Sequence, residues 1–215
     1  MTIFAELSPR LYHWIVRPSG FTRKHIHSNL QEHFIYTGKT VLDFGAGTGA
    51  NCSVFDCEYY VGVDLDRERV QFARQKYPEY TFYPLKSYRL PVDSQSVDYI
   101  IIIAVLHHIA HGDILRYLDE FKRVLKKDGT ILVLEPYLNQ HKPLANRLMS
   151  WLDKGKYIRD DQGYINFFRT AGYECRVLKH FTKGLIYNEL FFSARKGSGT
   201  EEKEREAYEG IGKVE

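Results

Sequence analysis

The stretch VLDFGAGTGANC, Val41 to Cys52, decides how the chain is read. An apolar run ends in Asp43, and glycines follow at every second position, Gly45, Gly47 and Gly49. Without a Cβ, a glycine main chain turns sharply and comes close to a ligand. Several cofactor classes use loops of this kind. Gly45, Gly47 and Ala50 satisfy the G-x-G-x-x-A form of a dinucleotide loop. A phosphate loop needs a lysine after its last glycine, and none is present. Asp43 argues against the dinucleotide: a carboxylate two residues ahead of the first glycine repels a pyrophosphate and suits a ligand with a positive end.

Outward from this loop the chain alternates between strand and helix patterns. Lys39–Phe44 and Tyr59–Val63 read as buried strands, and Arg67–Tyr77 has helical spacing, with Asp66 as its N-cap and Pro78 just beyond its end. Tyr80–Tyr83 is a short third strand, and Val97–Ile103 is uniformly apolar, as a central strand covered on both faces is. Asp113–Lys126 is amphipathic, with an inner stripe of Ile114, Leu115, Leu118, Phe121, Val124 and Leu125 closed by Lys-Lys-Asp-Gly. Strand Thr130–Leu134, helix Gln162–Ala171 and strands Tyr173–Leu178 and Leu185–Ala194 complete the pattern. Such alternation predicts an α/β fold: a mostly parallel sheet with helices on both faces and its ligand at the carboxyl ends of the strands. A helix is expected to start near Thr48, its free N–H groups facing the ligand.

Composition bounds the rest. The 215 residues suffice for one domain with a core of its own. The longest apolar run, Tyr99–Leu106, is too short to cross a bilayer, and the N-terminal residues lack a secretory pattern. Cys52, Cys57 and Cys175 cannot all pair and form no ligand set, so free thiols, a cytoplasmic location and no metal are expected. The tail from Gly197 to Glu215 carries six acids against three bases and is expected to be disordered. With +3 overall, the body is then near +6, too dispersed to imply a nucleic-acid partner.

Four motifs carry a family resemblance. VLDFGAGTG resembles the first motif, acid-x-G-x-G-x-G, of the class I S-adenosylmethionine-dependent methyltransferases. VGVDLD (Val61–Asp66) resembles their second-strand motif with its ribose-binding acid. LPVDSQSVDYIIIIAVLHHI (Leu90–Ile109) resembles the fourth-strand region, and FKRVLKKDGTILVLEP (Phe121–Pro136) the helix and strand after it. The resemblance runs over residues 36–195 and is nearest to the small-molecule group that includes the quinone-biosynthesis enzymes. It implies a Rossmann-like three-layer sandwich whose seven-stranded sheet ends in an antiparallel strand. It also implies S-adenosylmethionine as cofactor, S-adenosylhomocysteine as product, and in-line transfer to a small, amphiphilic or anionic acceptor. Residues 1–36 would form a cap, 37–196 the domain with a lid insertion around 137–160, and 197–215 the tail.

Carried onto this chain, the cofactor residues are Asp43, Phe44, Gly45, Ala46, Gly47, Asp64, Leu65, Lys86, Ser87, Ala104 and Val105. Asp43 is expected near the ammonium, accepting N–H bonds of its own loop, and Asp64 on both ribose hydroxyls. Lys86 departs from the family, whose relatives carry an adenine-contacting aspartate there. Lysine only donates, so Ser87 and the main chain are left to hold the base. Of the catalytic candidates His107 and His108, His107 is expected to face the ligand as a base and His108 to pack. Tyr12, His13, Tyr137 and Arg159, from two segments that mix aromatics with bases, are the acceptor candidates, and the same mixture admits peripheral membrane contact. The chain is expected to act as a monomer or homodimer. Two other classes stay open: a non-catalytic adaptor that keeps the fold, and a nicotinamide-dependent oxidoreductase.

Overall fold

The computed structural model describes residues 26–152, 156–183 and 187–197. Tyr12, His13 and the acidic tail lie outside the described residues. The strands are β1 (Val41–Phe44), β2 (Tyr60–Asp64), β3 (Thr81–Pro84), β4 (Val97–Ile103), β5 (Leu125–Pro136), β6 (Tyr173–Lys183) and β7 (Tyr187–Lys196). The helices are α1 (Ser28–His33), α2 (Arg67–Lys76), α3 (His111–Val124), α4 (Pro143–Leu152) and α5 (Asp161–Thr170). One sheet holds the strands in the order β3-β2-β1-β4-β5-β7-β6. Pairing is parallel from β3 through β5, whereas β7 runs antiparallel to both β5 and β6. Strand order reverses between β1 and β4, so the loops leaving these two strands flank a crevice at the carboxyl edge.

The apolar run of β4 shows how the sheet is covered. Ile100 and Ile102 join a core with α3 and α5, including Leu118, Phe121, Tyr164 and Phe168. Ile101 and Ile103 point the other way, into a core with Ile26 and Leu30 at α1 and Val70 and Ala73 on α2. Successive strand residues alternate faces, so a strand covered on both sides must be apolar at every position. None of the four isoleucines is more than 3% exposed. Burying such a side chain contributes about 1.5–3 kcal/mol. α2 begins as its sequence requires, Asp66 accepting from the N–H groups of Glu68 and Arg69.

Two local expectations fail. No α-helix follows the glycine loop: after turns through residue 51 the chain makes short 3-10 turns at Cys52–Val54 and Cys57–Tyr59 and enters β2. Gly49 sits at φ +77°, outside helical space, and Asn51, Cys52 and Ser53 are weak helix formers. Lys-Lys-Asp-Gly does not close α3 either. The helix ends at Val124, and residues 126–129 bulge out of β5 between the pairs Val97–Leu125 and Tyr99–Thr130. No described helix is long and apolar enough to cross a membrane. No group of three or more His, Cys, Asp or Glu among the described residues is placed to hold a metal ion.

Candidate functional site

The glycine loop and the turn after β4 enclose a cavity of about 190 Å³. Gly45 turns the chain out of β1 at φ +80°, and a Cβ on it would overlap Val105 across the cavity. Gly47, at φ +55°, lies over Asp64, where a Cβ would stand 3.9 Å from Oδ2. Glycine at these positions keeps the floor open to a ligand. The N–H groups of Gly45 and Ala46 donate to the Val63 carbonyl at 2.8 and 3.0 Å, tying the loop to β2. Phe44, Ala46, Leu65 and Ala104 complete the wall with the residues already named.

Asp64 ends β2 on this floor. Its Oδ2 accepts from the Gly47 N–H and its Oδ1 from the Asp66 N–H, both at 2.8 Å. Each carboxylate oxygen accepts more than one hydrogen bond, so the fixed group keeps acceptor capacity toward the cavity. Burial raises its pKa above the ordinary aspartate value, against the opposing pull of these two N–H bonds. Asn51 also lines the cavity, 4% exposed, and its buried Oδ1 has no hydrogen-bond partner among the described residues. A buried acceptor without a donor is costly in a folded protein unless a ligand or water supplies one.

Asp43 lies within the buried strand β1. It is 1% exposed, lies outside the cavity lining, and accepts a hydrogen bond from the Tyr60 hydroxyl at 2.7 Å. The Gly47 N–H of the loop is held by Asp64. As the third of four buried residues of β1, Asp43 points its side chain into the sheet's packing.

The opposite wall is a 3-10 turn, Leu106–His108, hung from a residue that the sequence reading missed. Glu135, near the end of β5 and fully buried, accepts from the N–H groups of Val105 and Leu106 at 2.7 and 2.8 Å. Its other oxygen meets His107 Nδ1 at 2.7 Å. His107 is therefore drawn into the protein, 2% exposed, while His108 is exposed and lines the cavity. The expected placement of the pair is reversed, because the partner of His107 comes from a different strand. A lone carboxylate within the apolar run ILVLEP was the available signal. Ala104, just before the turn, holds φ +55°, an uncommon conformation for a residue with a side chain.

Arg159 holds this turn. Nη1 donates to the carbonyls of Leu106 and Tyr157, and Nη2 to that of Ile109. Its guanidinium also lies 4.8 Å from the Phe167 ring centre. The Tyr157 N–H closes on the His107 carbonyl at 3.0 Å. Tyr137 likewise stays out of the cavity, 8% exposed, its hydroxyl accepting from Asn139 and its ring against His180. Lys86 and Ser87 line a neighbouring chamber of about 560 Å³ with Tyr88, Tyr117, Lys156 and Tyr157. Leu65, Leu85, His108 and Ile109 border both spaces, so the two adjoin.

Comparison with known proteins gives this geometry its context. Residues 42–133 match the family model described as a methyltransferase domain. A probable S-adenosylmethionine-dependent methyltransferase of Mycobacterium tuberculosis is 29% identical over 102 residues, 46% of this chain and 36% of that protein. The ubiquinone/menaquinone biosynthesis C-methyltransferase UbiE of Campylobacter jejuni is 34% identical over 74 residues, 34% of this chain and 31% of its own. The chain thus spans about a third of the length of these curated relatives. The solved structure of YcgJ from Bacillus subtilis shares the fold with a TM-score of 0.65 at 18% identity, covering 81% of this chain and 100% of that one. Human N-acetylserotonin methyltransferase, solved in complex with S-adenosylmethionine, reaches a TM-score of 0.63 at 23% identity over 82% of this chain and 53% of its own.

Proposed function

We propose that the chain is a class I S-adenosylmethionine-dependent methyltransferase that moves a methyl group from that cofactor to a small-molecule acceptor. The observation that carries the reading is Asp64: a carboxylate fixed by two main-chain N–H groups beneath a glycine floor, with acceptor capacity left over. A vicinal diol suits that arrangement, one hydroxyl to each oxygen. Asn51 Oδ1 supplies an acceptor suited to an ammonium, the role first expected of Asp43. Leu65 and Ile109, beside Ser87, offer apolar surface to a purine. These residues fit the ribose, the amino acid end and the base of S-adenosylmethionine.

When bound, the cofactor supplies an electrophilic methyl group on a sulfonium. The chain's own part is to hold the acceptor in line with that carbon, and positioning alone removes a large share of such a barrier. His108 borders both chambers and is the group within reach of an acceptor that must lose a proton. Glu135 and Arg159 keep its turn in place from behind.

Calorimetry with S-adenosylmethionine, S-adenosylhomocysteine and NAD tests the reading. The first two are expected to bind and NAD not to. Asp64→Ala is expected to weaken binding about 10- to 150-fold, the worth of hydrogen bonds to a charged acceptor. Absence of binding by the unaltered chain would sink the proposal. A methyl-release screen against quinols, phenols, amines and fatty acids then identifies the acceptor.

A further inference from the structure

One surface plays no part in the site. On α4 the side chains of Leu144, Leu148 and Trp151 are 84%, 43% and 74% exposed. Their spacing of four and three residues stacks them on a single face, opposite the fully buried Met149. An isolated exposed leucine needs no explanation, but a leucine–leucine–tryptophan stripe on one helix marks an interaction surface.

The charge around the stripe selects the partner. Arg147 and Lys156 are exposed on α4 and after it, and Arg147 lies next to the stripe on the helix surface, whereas the Lys142 ammonium donates to Thr182 and Asn188. Between Pro136 and Arg159 the sequence contains Lys142, Arg147, Lys154 and Lys156 against Asp153 as its one acid. A protein partner would need an apolar groove rimmed by acids. An anionic lipid surface offers both complements at once: hydrocarbon for the leucines, an interfacial zone for the indole and phosphates for the bases. The placement fits as well. α4 follows β5, at the edge of the sheet where the site lies, and the chain beyond it returns through Lys156 and Tyr157, which line the larger chamber.

We infer that α4 is an interfacial helix that seats the carboxyl edge of the sheet on an anionic membrane. The chamber then opens beside the lipid, and acceptors that partition into the bilayer reach it from there. The inference does not depend on the identity of the cofactor.

Trp151 reports on it directly once Trp14, the other tryptophan, is replaced by Phe. Vesicles of equal parts phosphatidylcholine and phosphatidylglycerol are expected to carry the protein down on sedimentation and to shift Trp151 emission to the blue. Phosphatidylcholine alone is expected to bind more weakly, and added salt to weaken the anionic case. Leu144→Glu with Leu148→Glu is expected to lower partition at least about tenfold at unchanged circular dichroism, and Arg147→Glu to lower it less. These positions are exposed, so the fold does not depend on them. Three results would each overturn the inference: no partition, partition unchanged in the double variant, or Trp151 already shielded from acrylamide without vesicles. Shielding that grew with protein concentration would assign the stripe to a second copy instead, and shielding independent of concentration to another segment of this chain.

Discussion

On one wall of the cavity the Asp64 carboxylate is held by N–H groups 17 and 2 residues away. On the other, the turn after β4 hangs from Glu135, which lies 28 to 30 residues along the chain from the groups it accepts. The first wall is main chain closing on its own strand ends. The second exists only after β5 has docked beside β4 and delivered a carboxylate into the apolar core. Locally built walls tolerate change in the rest of the fold, whereas the remote anchor ties site geometry to global stability.

The sharpest way to break that contrast is to remove the anchor. In Glu135→Ala the N–H groups of Val105 and Leu106 and the ring of His107 lose their acceptor in a buried place. At about 1–3 kcal/mol for each orphaned donor, partly relieved by relaxation, the expected loss is about 3–5 kcal/mol in urea or thermal unfolding. Glu135→Gln keeps one acceptor oxygen and is expected to lose less. A cost below about 1 kcal/mol for the alanine variant would mean that the turn stands without Glu135.

The contrast also explains what could be read from the sequence. Gly45, Gly47 and Asp64 announce themselves because spacing and residue type suffice, and Asp66 is recognisable as an N-cap for the same reason. The run Val97–Ile103 is legible because both faces of a central strand need apolar residues. Which of two adjacent histidines faces the cavity was not legible. That choice rests on Glu135, a contact no local pattern encodes. Asp43 is a related case: its charge suggests a ligand, and its burial in β1 also gives it the Tyr60 hydroxyl. The helix expected after Thr48 does not form because Gly49 stands at φ +77° and Asn51 and Ser53 are poor helix formers.

Separating the two histidines sharpens the comparison next. On an oxygen or acidic-carbon acceptor, His108→Ala is expected to lower kcat about a hundredfold or more, with an unchanged melting temperature. His107→Ala is expected to do the reverse first: it removes a buried partner of Glu135 and lowers stability, with any loss of rate following from the displaced turn. Equal rates for His108→Ala and the unaltered chain at neutral pH would assign the proton elsewhere.

The smallest effect is the pH response of the local wall, and its sign is fixed by Asp64. Burial lifts the pKa of this group above 3.8 in the folded protein, so folding disfavours the charged form. Its contribution to stability is complete below the unfolded value and is lost as the pH rises through the folded one. Cofactor affinity runs the other way. A protonated Asp64 presents one donor where the diol needs acceptors, so binding weakens as the pH falls through the raised pKa, by at most about tenfold per unit. Acidification over that window thus relieves the free protein while it releases the ligand. Calorimetric titrations over a range of pH above the ordinary aspartate value are expected to show the slope in the unaltered chain and to lose it in Asp64→Asn, which binds weakly at every pH. A slope that survived in Asp64→Asn would move the titrating group, and with it the diol, to another residue of the cavity.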